Sequence, residues 1–140
     1  MFARTDDQRM LAESLHRLLI EQNDFEHRRQ RLAAATPDRL ALWPALAEMG
    51  LLGLCVDAQR GGFGGDVRSV ATVMADVGQS LAIEPFLPSA VLAARIFDAA
   101  GCDADALISG EIIAVPAQAS GHDLFGAPAL QAIVSAQGYV

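Results

Sequence analysis

The residues of this chain with the most chemical promise form one run, Gly61-Gly62-Phe63-Gly64-Gly65-Asp66. A glycine-rich turn ahead of a helix can aim several backbone N–H groups at an anion. Three features oppose that reading here. No strand of dinucleotide-fold length precedes the run, no Lys or Ser/Thr follows at the offset a phosphate loop requires, and Asp66 would set a negative charge at the helix N-terminus. A structural hinge with Asp66 as helix cap is the expectation. All ten basic residues are Arg, which excludes a phosphate-loop lysine and a Schiff-base lysine within the chain. Glu84 stands among Leu81, Ile83 and Phe86, a setting in which a carboxylate can be tuned for proton transfer. Its place before Pro85 points instead to capping or backbone bonding. No Ser-His-Asp or Cys-His arrangement emerges from spacing, so no catalytic residue is assigned. Cys55 and Cys102 are far apart, and His16, His27 and His122 do not cluster, so no metal site is expected and the thiols read as free. Arg28, Arg29 and Arg31 form the one basic run. A solvated loop or helix end is expected there, with a phosphate or partner contact as the alternative.

Bulk properties narrow the function classes. A chain of 140 residues suits one domain, or one domain and a fragment of another. The net charge of −7 opposes nucleic-acid binding, which draws its affinity from basic side chains neutralising phosphates. The hydrophobic share is 52% and mean hydropathy +0.29, yet Asp, Arg, Gln or Gly break every apolar run before the ~18 residues of a membrane span. The first residues lack an apolar signal core. A cytoplasmic protein is the expectation.

The elements that must position these groups are mostly helical. Thr5 and Gln8 have capping-box spacing, and Met10, Leu11, Leu15, Leu18 and Leu19 then recur at helical spacing. A polar stretch from Asn23 to Arg31 interrupts that stripe. Thr36 and Pro37 read as cap and first residue of a second helix, which buries Leu40, Trp43, Leu46, Ala47 and Met49 and ends at Gly50. Asp66 caps a helix over Val67–Val77 that Gly78 terminates. Glu84-Pro85 opens the next, whose apolar stripe is Val91, Leu92, Ile96 and Phe97 and whose end is Gly101. A short helical turn covers Asp103 to Ile108. After Gly110 the pattern changes: Ile112 to Val115 and Ala129 to Ser135 lean toward β-structure. The fold class is mainly α, a helical bundle over residues 1–110 followed by the first short strands of a β-domain over 111–140. Two or three strands with open edges make an incomplete sheet.

Four segments together resemble the acyl-CoA dehydrogenase family. They are Trp43-Pro44-Ala45-Leu46 through Gly50-Leu51-Leu52-Gly53, the Gly61-Gly62-x-Gly64 turn, Asp76-Val77-Gly78-Gln79-Ser80-Leu81-Ala82 leading to Glu84-Pro85-Phe86, and Ile108-Ser109-Gly110-Glu111. The order and spacing carry the resemblance, which covers nearly the whole chain. It implies the N-terminal helical domain and the start of the central β-domain of a longer flavoprotein. Such enzymes hold FAD and dehydrogenate an acyl-CoA thioester between its α- and β-carbons. They work as homo- or hetero-oligomers, and electron-transfer flavoprotein accepts their electrons. The base of such enzymes belongs to the C-terminal domain, so these 140 residues alone are expected to be inactive. The N-terminal helices wall the acyl cavity, and the resemblance nominates Phe86, Leu87, Val91 and Leu92 as substrate-binding. Where the family has a Thr-Glu-Pro-like turn at the flavin, this chain reads Val115-Pro116-Ala117-Gln118-Ala119-Ser120-Gly121. Gln118 falls near the Thr position and Ala119 near the acidic one, leaving Gln118 and Ser120 as cofactor-binding candidates and weakening the case for flavin binding by this chain. A second reading therefore stays open: a non-catalytic helical interaction module, or a degenerate subunit supporting a catalytic partner.

Overall fold

A computed structural model describes residues 5–34, 39–116, 134–135 and 138–139. The described part is mainly helical. Helix α1 spans Asp6–Gln22, and its Thr5–Gln8 capping box is formed as expected. Leu15 and Leu19 are buried, and Leu11 and Leu18 pack at the edge of the same cluster. Met10 turns out to solvent, 63% exposed, while Ala12 points inward. The inward stripe thus begins one position later than hydrophobicity alone suggests.

The polar stretch after α1 is itself a helix, α2 (Phe25–Ala33), capped by Asp24, whose carboxylate accepts the His27 N–H at 2.8 Å. Asp24 offers the side-chain oxygen that an N-terminal helical amide needs. Hydrophobic periodicity could not reveal α2, because none of its residues is buried.

Helix α3 spans Trp43–Glu48, with Pro44 in its first turn where no intrahelical donor is lost. The expected start at Thr36-Pro37 lies outside the described residues, and a bend and turn rather than a helix occupy 39–42. Leu40 is accordingly 40% exposed instead of buried, whereas Trp43 and Leu46 are buried as expected. Gly50 closes α3 at φ 72°, a conformation natural to glycine.

Two 3₁₀ turns, Leu51–Gly53 and Ala58–Arg60, lead to the glycine run and to α4 (Val67–Gln79), capped by Asp66. Helix α4 runs through Gly78 rather than stopping there. Val73 and Val77 face Leu15 and Leu19 within one apolar core that also takes in Leu42, Trp43, Leu46, Leu51 and Phe86.

A connector over residues 80–84 enters a π-helix, Phe86–Ala93, which continues as α5 (Ala94–Ala100) and ends at Gly101 in the left-handed conformation. The wide turn is visible where the Ala94 N–H reaches back five residues to the Ser89 carbonyl. This register buries Phe86, Ser89, Ala90, Ala93 and Ala94, so small residues meet the core. The expected apolar stripe is displaced: Leu92 and Ile96 are exposed, and Val91 and Phe97 are half-buried. A short helix, α6 (Asp105–Ile108), packs Leu107 with Cys55, Val56, Ala93, Ala94 and Ala104 in a second apolar cluster.

Residues 112–116 form neither helix nor strand, against the β-reading of Ile112 to Val115. Farther on, β1 (Val134–Ser135) pairs antiparallel with β2 (Gly138–Tyr139), Val134 opposite Tyr139. Residues 129–133 of the other β-leaning segment lie outside the described residues. Among the described residues, no helix is long and apolar enough to cross a membrane.

Candidate functional site

The glycine run folds into a loop whose amides are already committed. Gly61 donates to the Ala58 carbonyl, Gly62 to Asp57, Phe63 to Gly53, Gly64 to Val56 and Gly65 to Leu54. An incoming phosphate would have to break these bonds, so the loop is not an anion cradle. Glycine is required by close approach: a Cβ on Gly62 would lie 2.2 Å from the Val56 carbonyl oxygen, and one on Gly65 2.7 Å from that of Leu54. Asp66 caps α4, accepting the Ser69 N–H at 2.9 Å and the Ser69 hydroxyl at 3.0 Å. The Ser69 N–H is the main reason its carboxyl is held below the ordinary aspartate range. The geometry supports a structural turn with Asp66 as helix cap.

Between this loop and the start of α1 lies an open cleft of about 650 Å³. Its walls include Leu11, Leu54 and Phe63, with Gln8, Asp66 and Ser69 at the polar side. The Gln8 amide donates to the Ser69 hydroxyl at 3.2 Å and ties the two helix starts together. Asp66, the titratable group in the lining, is engaged as a cap, so the cleft presents no poised base.

Glu84 is buried, and its carboxylate bonds to the backbone as its sequence context suggests. The acceptor is Oε1 and the donor is the Leu42 N–H, at 3.1 Å. Its surroundings differ from expectation. Leu81 and Ile83 are exposed, while Phe86 and Leu42 are buried. Leu81 sits at φ 53°, a conformation costly for a residue with a Cβ. The sequence did not disclose the partner from α2: Arg31 Nη1 lies 3.7 Å from Glu84 Oε1. Arg31 is therefore not the solvated side chain expected of the basic run, and neither is Arg28, whose guanidinium donates to the Ser80 carbonyl at 2.9 Å. Arg29 does face solvent, paired with Glu26. The hint in the sequence was the three-residue spacing of Arg28 and Arg31, which puts both on one helix face.

The four substrate candidates divide. Phe86 is a fully buried member of the central core, whereas Leu87 and Leu92 are roughly half exposed and Val91 is intermediate. Leu87 and Leu92 on this helix, Ile83 before it and Ile96 in α5 are apolar side chains left exposed. The cofactor candidates Gln118 and Ser120 lie outside the described residues. With the glycine-loop amides already bonded, none of the described residues is assigned to a flavin. Among the described residues, no group of three His, Cys, Asp or Glu side chains could hold a metal ion. Cys55 is buried, and burial pushes its thiol up, away from the reactive thiolate.

Residues 5–104 match the family model described as "Acyl-CoA dehydrogenase, N-terminal domain". No curated protein and no solved structure matches the chain.

Proposed function

This chain belongs to the acyl-CoA dehydrogenase family, and from that premise we propose that it is the N-terminal part of a flavin-dependent enzyme that dehydrogenates an acyl-CoA thioester. Its task in that enzyme is to wall the acyl pocket and to contribute to subunit assembly. The observation that carries this reading is the family match over the helical domain, joined to the exposed apolar side chains of Leu87 and Leu92 on the π-helix. Leu87, Val91 and Leu92 would meet the acyl chain there, with Phe86 behind them as a rigid backing in the core. FAD would supply the hydride acceptor in the assembled protein, with Gln118 and Ser120 as the proposed contacts from this chain. The domain division proposed is 1–110 helical and 111–140 the start of a β-domain. The proposed setting is cytoplasmic, in an oligomer that passes electrons to an electron-transfer flavoprotein.

No residue of this chain is assigned as the base. Glu84 is bound to the Leu42 amide and lies beside Arg31, which fits a structural carboxylate. The chain by itself is accordingly proposed to be inactive. Expressing the complete reading frame tests the proposal. A yellow protein whose flavin is bleached by an acyl-CoA is expected, and a colourless product that neither takes up FAD nor reduces it would contradict it.

The second reading, a degenerate subunit that supports a catalytic partner, is favoured by Ala117-Gln118-Ala119 in place of a Thr-Glu-Pro-like turn. Co-purification with a catalytic homologue, without flavin held through this chain, would select it. A stable flavin-loaded homodimer would exclude it.

A further inference from the structure

We propose that α2 is a releasable polar clamp on the connector between α4 and the π-helix, and that it sets where the π-helix begins. The connector, residues 80–84, is gripped at both ends. At its start the Ser80 carbonyl accepts from Asn23 Nδ2 and from Arg28 Nη1, both at 2.9 Å. At its end the Glu84 carboxylate, its side chain fully buried, accepts the Leu42 N–H and faces Arg31 at 3.7 Å. Arg31 also donates to Asn23 Oδ1, so the two grips form one network.

The attachment of α2 is polar to an unusual degree. A helix held by apolar burial turns its large hydrophobic residues inward. Here Phe25 is 70% and Leu32 55% exposed, while two arginines point at the protein. Directional bonds of this kind fail together once their geometry is lost, whereas apolar contacts tolerate small slides. Glu84 Oε2, Arg31 Nε and Arg31 Nη1, the nitrogen that faces Glu84, are buried without a hydrogen-bond partner among the described residues, so Arg31 meets Glu84 as an ion pair and not through a hydrogen bond. An incompletely satisfied network belongs to the low-stability end of a structure, where local opening starts.

What the clamp holds has consequences downstream. Leu81, in the middle of the connector, sits at a positive φ that a free chain would leave. The Phe86 N–H donates to the Glu84 carbonyl at 2.7 Å, and the Ser89 N–H to the Pro85 carbonyl at 3.0 Å. Where the connector goes, the first π-turn and Leu87 must follow. Arg28, Arg31 and Asn23 are thus positioning residues for that helix. The consequence for an acyl group rests on the function proposed above, but the clamp itself does not.

Amide hydrogen exchange on the full chain tests this. In the wild type, the amides of α2 and of residues 81–89 should open together, at lower free energy than those of Leu15 and Val73. Arg31→Gln should speed exchange in both segments by about tenfold or more and change Leu15 and Val73 by less than about twofold. Arg29→Gln, which removes a guanidinium from the same helix but not from the clamp, should leave residues 81–89 unaltered. The proposal is overturned if wild-type α2 opens only together with α1 and α4, or if Arg31→Gln leaves residues 81–89 unchanged. Should Arg31→Gln not fold, the wild-type comparison still decides. Failure here would leave the pocket reading untouched, whereas a complete enzyme with this exchange pattern but no flavin reduction by acyl-CoA would refute the pocket reading alone.

Discussion

Two seams hold this domain together, and they work by different physics. Along one, Leu15 and Leu19 of α1 meet Val73 and Val77 of α4, with Leu46 and Phe86 closing an apolar core. Along the other, α2, with no buried residue of its own, reaches the connector through Arg28 and Arg31, beside the buried α1 cap residue Asn23. The apolar seam gains free energy from area removed from water and makes little demand on direction. The polar seam contributes only the difference between bonds made to protein and bonds given up to water. It follows that the first seam supplies stability and the second supplies placement.

The largest expected effect falls on the apolar side. Leu46→Ala, at a position 1% exposed, should cost roughly 2–5 kcal/mol and lower the melting temperature sharply. A negligible shift would mean that α3 does not face the core.

The polar side should respond less, and in a way that packing loss does not imitate. Arg31→Met strands the buried Glu84 carboxylate and should cost about 1–3 kcal/mol by denaturant unfolding. Adding Glu84→Gln removes the stranded charge while keeping an acceptor for the Leu42 amide, and should restore most of the loss. Additive losses in the double variant would show that the two side chains are not coupled.

Acid should touch a carboxylate cap on each side. The carboxyls of Asp24, bonded by the His27 N–H, and of Asp66, bonded by the Ser69 N–H, are both held below their ordinary value in the folded chain. A depressed pKa contributes stability that is present above the ordinary carboxyl range and is lost as pH falls through the depressed one. Melting temperature should therefore decline on acidification through that window. Asp24→Asn and Asp66→Asn should each flatten part of the decline, and unchanged slopes would contradict these caps.

The smallest effect has the opposite sign. Gly78 lies inside α4 with open space where a Cβ would go, so Gly78→Ala should stabilise by up to about 1 kcal/mol. A loss of stability would indicate a contact at that face.

The same contrast explains what the sequence made legible. The apolar seam announced itself on the α1 and α3 side, because Leu15 and Leu19, and Trp43 and Leu46, recur at helical spacing, and caps such as Thr5 and Asp66 are local in the chain. The helical fold class and the structural role of the glycine run followed from such signals. The polar seam stayed hidden because its partners are far apart in sequence: Arg31 and Glu84 are separated by 53 residues, and no local pattern selects one Arg of a run over its neighbour. The π-turn was equally obscure, since a shift from α to π spacing rotates the buried face from Val91 and Leu92 onto Ser89, Ala90 and Ala93 without altering composition. The pocket candidates Leu87 and Leu92 were nominated by resemblance, and what periodicity could not supply was that both stay exposed.

The acyl-length profile of the complete reading-frame product with Leu92→Trp, read as kcat/KM across a series of straight-chain acyl-CoAs, tests the proposed pocket wall most directly. If the π-helix walls the acyl pocket, the added bulk should move the preference to shorter chains while the shortest substrates keep their rate. A profile matching the wild type at every length would place the acyl chain elsewhere and contradict the account.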